Sequence, residues 1–184
     1  MRKLVLSTFI SLDGYSCDPG TELFDYFMQL DGNEDGEQEE YGLARLWQAG
    51  THIMGRVTYL GFAEYWPSSM HVNAAPMNDI PKVVFSRTLR EASWPKTTIA
   101  AGDTKAEIAK LKAEPGGDIL AHGGTSFARS LIQLGLVDEY SLLVVPAVAG
   151  KGVALFTDFT RLRLLSSKAF SSGLLALAYA PAGT

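Results

Sequence analysis

The chain has 184 residues, 47% of them hydrophobic and 20% charged, with a formal net charge of −4. That suffices for one domain, residues 1–184, burying roughly 70% of its unfolded surface, and it excludes a disordered or fibrous chain. Five acids fall in one run (Glu34, Asp35, Glu37, Glu39, Glu40); removing them from the 20 acids leaves 15 against 16 bases, so the acidity is local and no basic nucleic-acid face stands out. The single cysteine, Cys17, excludes an internal disulfide or a multi-cysteine zinc site and points to a reducing, cytoplasmic setting. No stretch approaches the ~18 consecutive apolar residues of a membrane span, and Leu4 to Ile10 is too short and too interrupted for a signal peptide.

Lys3 to Ile10 reads as a first strand, and Ser11-Leu12-Asp13-Gly14 turns out of it. Leu23, Phe24, Phe27 and Leu30 have helical spacing, with a break at Asp31-Gly32-Asn33. The acidic run suits the positive end of the next helix, Glu37 to Ala49, whose inner face is Leu43, Leu46 and Trp47 and whose stop is Gly50. Thr51 to Met54 is a strand. Gly55-Arg56-Val57-Thr58 then opens a helix closed by Trp66-Pro67, and a loop of the long, functional kind runs to Pro81. Lys82 to Ser86 and Thr97 to Ala100 are strands, and Thr104-x-x-Glu107 reads as the capping box of a helix through Leu111.

Asp118 to His122 has the length of an interior strand. The turn Gly123-Gly124 follows, then a helix capped by Thr125 or Ser126, with Phe127, Ala128, Leu131 and Ile132 inside, stopping at Gly135. A strand, a glycine pair and a helix start form an anion site, because exposed N–H groups and the helix dipole face the same point. Glu139 to Pro146 is a further apolar strand, and Leu162 to Phe170 with Leu174 to Ala180 form a hairpin. Strands with helices between the early ones and a strand-only end predict a three-layer α/β fold, its eight-stranded sheet mostly parallel with an antiparallel C-terminal hairpin. His52 and His122 read as interior residues and His71 as a loop residue; three scattered histidines give no metal site.

Three strand ends carry Gly55-Arg56-x-Thr58, Ser86-Arg87 and Gly123-Gly124, and in an open α/β sheet such ends converge on one ligand. This ordered set resembles the dihydrofolate reductase superfamily over nearly the whole chain. With Ser11-Leu12-Asp13-Gly14, Val137-Asp138-Glu139 and Pro146-x-x-x-Gly150-x-Gly152 it is similar to the reductase domain of bacterial riboflavin biosynthesis. The resemblance implies NADPH as cofactor: Gly55, Arg56 and Thr58 at its phosphates, Ser86 and Arg87 at the 2′-phosphate, Gly123 and Gly124 with Thr125, Ser126 and Phe127 at the pyrophosphate, and Phe9 and Ser11 beside the nicotinamide. A guanidinium fork suits a phosphate that NADH lacks.

The family likeness implies hydride transfer to a carbonyl or imine of a small heterocyclic or ribosylaminopyrimidine-like substrate. Asp13 is the first candidate for proton delivery or a ribose contact, with Glu22 and Asp25 as alternatives; Leu23 stands where dihydrofolate reductases carry their pteridine-binding carboxylate. A pterin reductase and a non-catalytic NADPH-binding module are the alternatives. No His-x-Glu with Pro-Cys-x-x-Cys is present, so a stand-alone reductase domain without its zinc deaminase is expected. Related reductases pair through their sheets, and the run Leu142 to Val145 with the final hairpin makes a homodimer the expected assembly.

Overall fold

The computed structural model describes residues 1–30 and 36–183. The expected break at Asp31-Gly32-Asn33 and the acids Glu34 and Asp35 lie outside the described residues. In chain order the elements are β1 Leu4–Ser11, α1 Glu22–Leu30, α2 Glu37–Trp47, β2 Ala49–Gly55, α3 Arg56–Tyr65, a 3-10 turn Trp66–Ser68, α4 Ala74–Asp79, β3 Lys82–Phe85 and β4 Thr97–Ala100. Then come α5 Thr104–Ala113, β5 Asp118–His122, α6 Thr125–Gln133, β6 Glu139–Val145, β7 Leu162–Ala169 and β8 Leu175–Pro181. The sheet has eight strands in the order β4-β3-β2-β5-β1-β6-β8-β7. β1 to β6 pair in parallel, β8 runs antiparallel to β6, and β7 closes the hairpin.

Alternation along the strands divides the core between two layers of helices. Leu4 and Leu6 of β1 pack with Ile108 of α5 and with Ala128 and Leu131 of α6. Val5 between them faces the opposite layer with Leu120 and Leu46 of α2. That layer continues through Met54, Tyr59, Met77 and Trp94, and at the other end Leu23 and Phe27 of α1 lie against Val145 and Phe170. Each such side chain contributes roughly 1.5–3 kcal/mol by leaving water. The three-layer expectation holds.

Several boundaries differ for local reasons. α2 ends at Trp47, and Gly50 sits inside β2 rather than stopping the helix. A Cβ at Gly50 would meet the Gly117 nitrogen at 2.7 Å, so it is the close approach of the chain leading into β5, at a shift in strand register, that requires glycine there. Trp47 is half exposed rather than inside. The stretch from Trp66 to Pro81 is no open loop. It holds α4, which Lys82 anchors from β3 by donating its Nζ hydrogens to the carbonyls of Met77, Asn78 and Ile80 at 2.9–3.0 Å. Asn78 adds a bond to the Trp66 carbonyl and accepts one from Trp94 Nε1.

Helix caps also differ. α5 is capped by Asp103, whose Oδ1 accepts from the Ala106 N–H at 3.0 Å, while Glu107 pairs with Lys110 instead of completing a box on Thr104. α6 begins behind Gly124, with no side-chain cap from Thr125 or Ser126, and its stop is Gly135 at φ +65°. Among the described residues no helix is long and apolar enough to cross a membrane.

Candidate active site

Parallel pairing brings the three motifs to one edge. Gly55 at the end of β2 lies opposite Phe85 of β3, Ile53 lies opposite Ala121 of β5, and His122 lies opposite Ser7 of β1. Ser86-Arg87, Gly55-Arg56 and Gly123-Gly124 therefore leave three adjacent strands side by side. α3 and α6 both start there behind a glycine, and neither has a side-chain cap, whereas α5 has Asp103. Uncapped first-turn N–H groups, together with two helix dipoles, make this edge electropositive. Arg56 and Arg87 are both exposed, and neither pairs with a described carboxylate.

The glycines are fixed by their neighbours. A Cβ on Gly124, which sits at φ +109°, would lie 2.4 Å from Thr58 Oγ1, and one on Gly123 would lie 2.7 Å from Thr8 Oγ1. Thr58 donates to the Gly123 carbonyl at 2.8 Å, so it fastens α3 to the glycine turn and spends its hydrogen doing so. Ser86 accepts from the N–H groups of Thr88 and Leu89, setting the turn from which Arg87 projects. Phe127 packs on Phe85 with ring centroids 5.1 Å apart, beneath the exposed Ser126. Thr125 is buried and its hydroxyl donates to Asp18. An elongated polyanion fits this edge: the two helix starts offer N–H groups and the two arginines offer unpaired charge.

A cleft of about 570 Å³ opens between the start of α1 and the loop after β6. Ser16, Asp18, Glu22 and Tyr26 line one side, and Val148, Lys151 and Val153 the other. Asp18 joins this cleft to the edge through Thr125. Asp13 stands outside its lining and holds the loop: Oδ1 accepts from Ser11 Oγ at 2.6 Å and from the Ala149 N–H at 3.0 Å, and Oδ2 accepts from the Gly150 N–H at 2.8 Å. These bonds, the one from Ser11 foremost, lower its carboxyl from 3.8 to about 2. So held, Asp13 anchors the loop after β6. Ser11 is 0% exposed and its hydroxyl also accepts from the Tyr15 N–H, so it serves the turn rather than a ligand. Phe9 packs its ring 4.2 Å from that of Phe27. Glu22 lines the cleft, and Asp25 does not.

The family model for the RibD C-terminal domain matches residues 2–176. The chain belongs to that family. YyaP of Bacillus subtilis (strain 168), an uncharacterized protein, is 28% identical over 198 residues, spanning 97% of this chain and 94% of that protein. The fold matches a Shewanella sp. PV-4 protein provisionally named for riboflavin biosynthesis, with TM-score 0.75, 21% identity, and 98% and 99% of the two chains covered. It also matches the diaminohydroxyphosphoribosylaminopyrimidine deaminase/5-amino-6-(5-phosphoribosylamino)uracil reductase of Thermotoga maritima, with TM-score 0.64 and 15% identity, covering 98% of this chain and 57% of that one.

In this RibD C-terminal domain two of the three histidines support the glycine turn. His52 Nε2 lies 3.3 Å from the Pro76 carbonyl, an acceptor, so it carries the hydrogen, and Nδ1 then accepts from His122 Nε2 at 2.9 Å. Burial lowers His52 to about 4 and His122 well below the ordinary histidine range, keeping both neutral. His71 accepts from the Asn73 N–H and packs against Trp66. Burial raises the Cys17 thiol to about 12, which keeps it inert.

Among the cleft residues Ser16 and Asp18 had no sequence motif to mark them, and Lys151 stood at an unspecified position of Pro146-x-x-x-Gly150-x-Gly152. A local signal did exist. Thr21, two residues past Pro19, caps α1 by accepting from the Phe24 N–H at 3.2 Å, and so places Asp18 and Glu22 at a helix start. What brings 147–153 to them is long-range.

Proposed function

We propose that this RibD C-terminal domain is an NADPH-dependent reductase acting on a carbonyl or imine carbon of a small heterocycle. The observation that carries the reading is the pair of helix starts without side-chain caps, flanked by unpaired Arg56 and Arg87, on the edge that adjoins the 570 Å³ cleft. Gly123 and Gly124 with the first turn of α6 would hold the pyrophosphate, Arg56 another phosphate oxygen, and Arg87, braced by the Ser86 turn, the 2′-phosphate. Thr58, Thr125 and Phe127 keep that cradle in shape. The hydride is the cofactor's contribution. The chain supplies position, and Phe9 with Phe27 and Leu23 forms a dry wall behind the cleft.

Hydride transfer also needs a proton. Of Asp13, Glu22 and Asp25, Glu22 is the carboxyl on the cleft, placed to orient a water at the substrate, while Asp13 fixes the opposite loop. The hairpin strand β7, at the edge of the sheet, leaves Leu164 and Leu165 exposed to solvent, apolar surface that suits the expected homodimer. Fluorescence titration tests the cofactor: NADPH should bind at least about ten-fold tighter than NADH, and Arg87→Ala should erase the difference by removing a charge-assisted contact. Consumption of NADPH with carbonyl and imine heterocycles then separates a reductase from a binding module. Equal binding of both cofactors by the unaltered chain would defeat the proposal.

A further inference from the structure

The glycine turn has little of its own to hold it. Gly124 sits at φ +109° and neither glycine has a side chain to pack, so neighbours must set the direction of the amides that open α6. Two clamps act on the backbone itself: the Gly123 N–H donates to the Ser7 carbonyl at 3.1 Å, and the Gly123 carbonyl accepts from Thr58 at 2.8 Å. The first spends the Gly123 hydrogen, so the donors left for a ligand begin at Gly124.

A third clamp enters from inside the molecule. His122, the residue before the turn, donates from Nε2 to His52 Nδ1 at 2.9 Å, and His52 donates from Nε2 to the Pro76 carbonyl of α4 at 3.3 Å. The order of the hydrogens is fixed from the α4 end. A carbonyl only accepts, so His52 carries its hydrogen on Nε2 and His122 must supply the next one. α4 is itself pinned, since Pro76 and Met77 are buried and Lys82 holds the Met77, Asn78 and Ile80 carbonyls. From α3, Phe62 meets the His122 ring edge-on with centroids 5.6 Å apart. Two apolar side chains would fill this space with no loss of stability, because a buried hydrogen-bonded pair gains little over an apolar one of the same shape. What the imidazoles add is direction.

We infer that His52 and His122 are positioning residues for the glycine turn, ordering the Gly124, Thr125 and Ser126 amides for an anionic ligand through a hydrogen-bond line that starts at α4. This rests on the reading of that turn as the pyrophosphate cradle. The pyrophosphate is common to NADPH and NADH, so the pair acts on both alike, whereas Arg87 acts on one. The test is calorimetry on the full chain with NADPH, NADH and inorganic pyrophosphate, beside urea unfolding. In the double variant His52→Phe with His122→Leu no imidazole is left unpaired and the Pro76 carbonyl keeps the Ile80 N–H at 3.2 Å, so the unfolding midpoint should not fall. Affinity for all three ligands should nevertheless drop about ten-fold. His122→Gln, which keeps a side-chain N–H for His52, should stay within about two-fold of the unaltered chain, and His122→Met should not. Nitrogen-15 NMR of the unaltered protein needs no variant and should find both rings neutral with the hydrogen on Nε2. Unchanged affinity in the double variant, a loss confined to NADPH, a midpoint that falls together with affinity, or a His52 hydrogen on Nδ1 overturns the inference. Failure of the unaltered chain to bind either dinucleotide strikes the cofactor assignment, and the pyrophosphate titration then decides the role of the pair.

Discussion

The cofactor edge and the cleft are neighbours built on opposite plans. The edge consists of strand ends and helix starts, so each part lies within a few residues of a buried strand: Gly55-Arg56 on β2, Ser86-Arg87 on β3, Gly123-Gly124 on β5. The cleft is closed by contacts across more than 100 residues, Asp13 to Gly150 and Ser16 to Val153. One carries two unpaired arginines and is continuous with the core; the other is acid-lined and hung on an anchored loop. In the reductase proposed above, substrate choice can change with the loop while the sheet keeps the edge.

The largest effect that would break this contrast is at Gly124. Substitution by Ala forces an L-residue to φ +109° and sets its Cβ 2.4 Å from Thr58 Oγ1. Backbone strain and overpacking together should cost roughly 3–4 kcal/mol in urea unfolding. Adding Thr58→Ala should recover the packing share and leave the strain. Loss below about 1 kcal/mol would mean that the turn is soft.

Acid should act on the two regions in different windows. His52 and His122 are held neutral, so between pH 6.5 and about 4 the unfolded chain binds protons that the folded chain does not, and stability falls as pH drops. The His52 shift alone corresponds to roughly 3 kcal/mol by pH 4. Asp13 is depressed from 3.8 to about 2, so its contribution is present above pH 3.8 and lost as pH falls through about 2. Thermal unfolding followed against pH should thus show stability lost between pH 6.5 and about 4, with the Asp13 loss added only below pH 3.8. A stability curve flat between pH 6.5 and 4 would contradict the histidine account.

Smaller effects sharpen the comparison. Asp103→Ala removes the cap of α5, a helix away from the edge, and should cost about 1 kcal/mol with NADPH affinity unchanged. Asp13→Asn should leave cofactor affinity intact, raise hydrogen exchange at the Ala149 and Gly150 amides, and weaken substrate binding. Weakened NADPH in either variant would show that the regions are not separable in this way.

How much could be read beforehand follows the same division. β4, β5, the Gly135 stop and all three edge motifs follow from short-range rules of period and turn chemistry, and they fall where expected. Gly50 looked like a helix stop because its true constraint, the Gly117 backbone, is 67 residues away. α4 lacks strong periodicity and is held from outside by Lys82, so its segment read as loop. Thr125 seemed a cap because its partner Asp18 is remote. Asp13 marked a turn in the sequence, and the loop it holds through the Ala149 and Gly150 amides lies 136 and 137 residues away.

The central claim is that cofactor and substrate meet where the edge adjoins the cleft, and a crystal structure of the NADPH complex tests it most directly. The account predicts the pyrophosphate on Gly123-Gly124 at the start of α6, the 2′-phosphate within hydrogen-bonding distance of Arg87, and the nicotinamide at the mouth of the cleft between Phe9 and Asp18. Phosphates bound away from both helix starts, or a nicotinamide turned from a cleft closed by side chains, would contradict it.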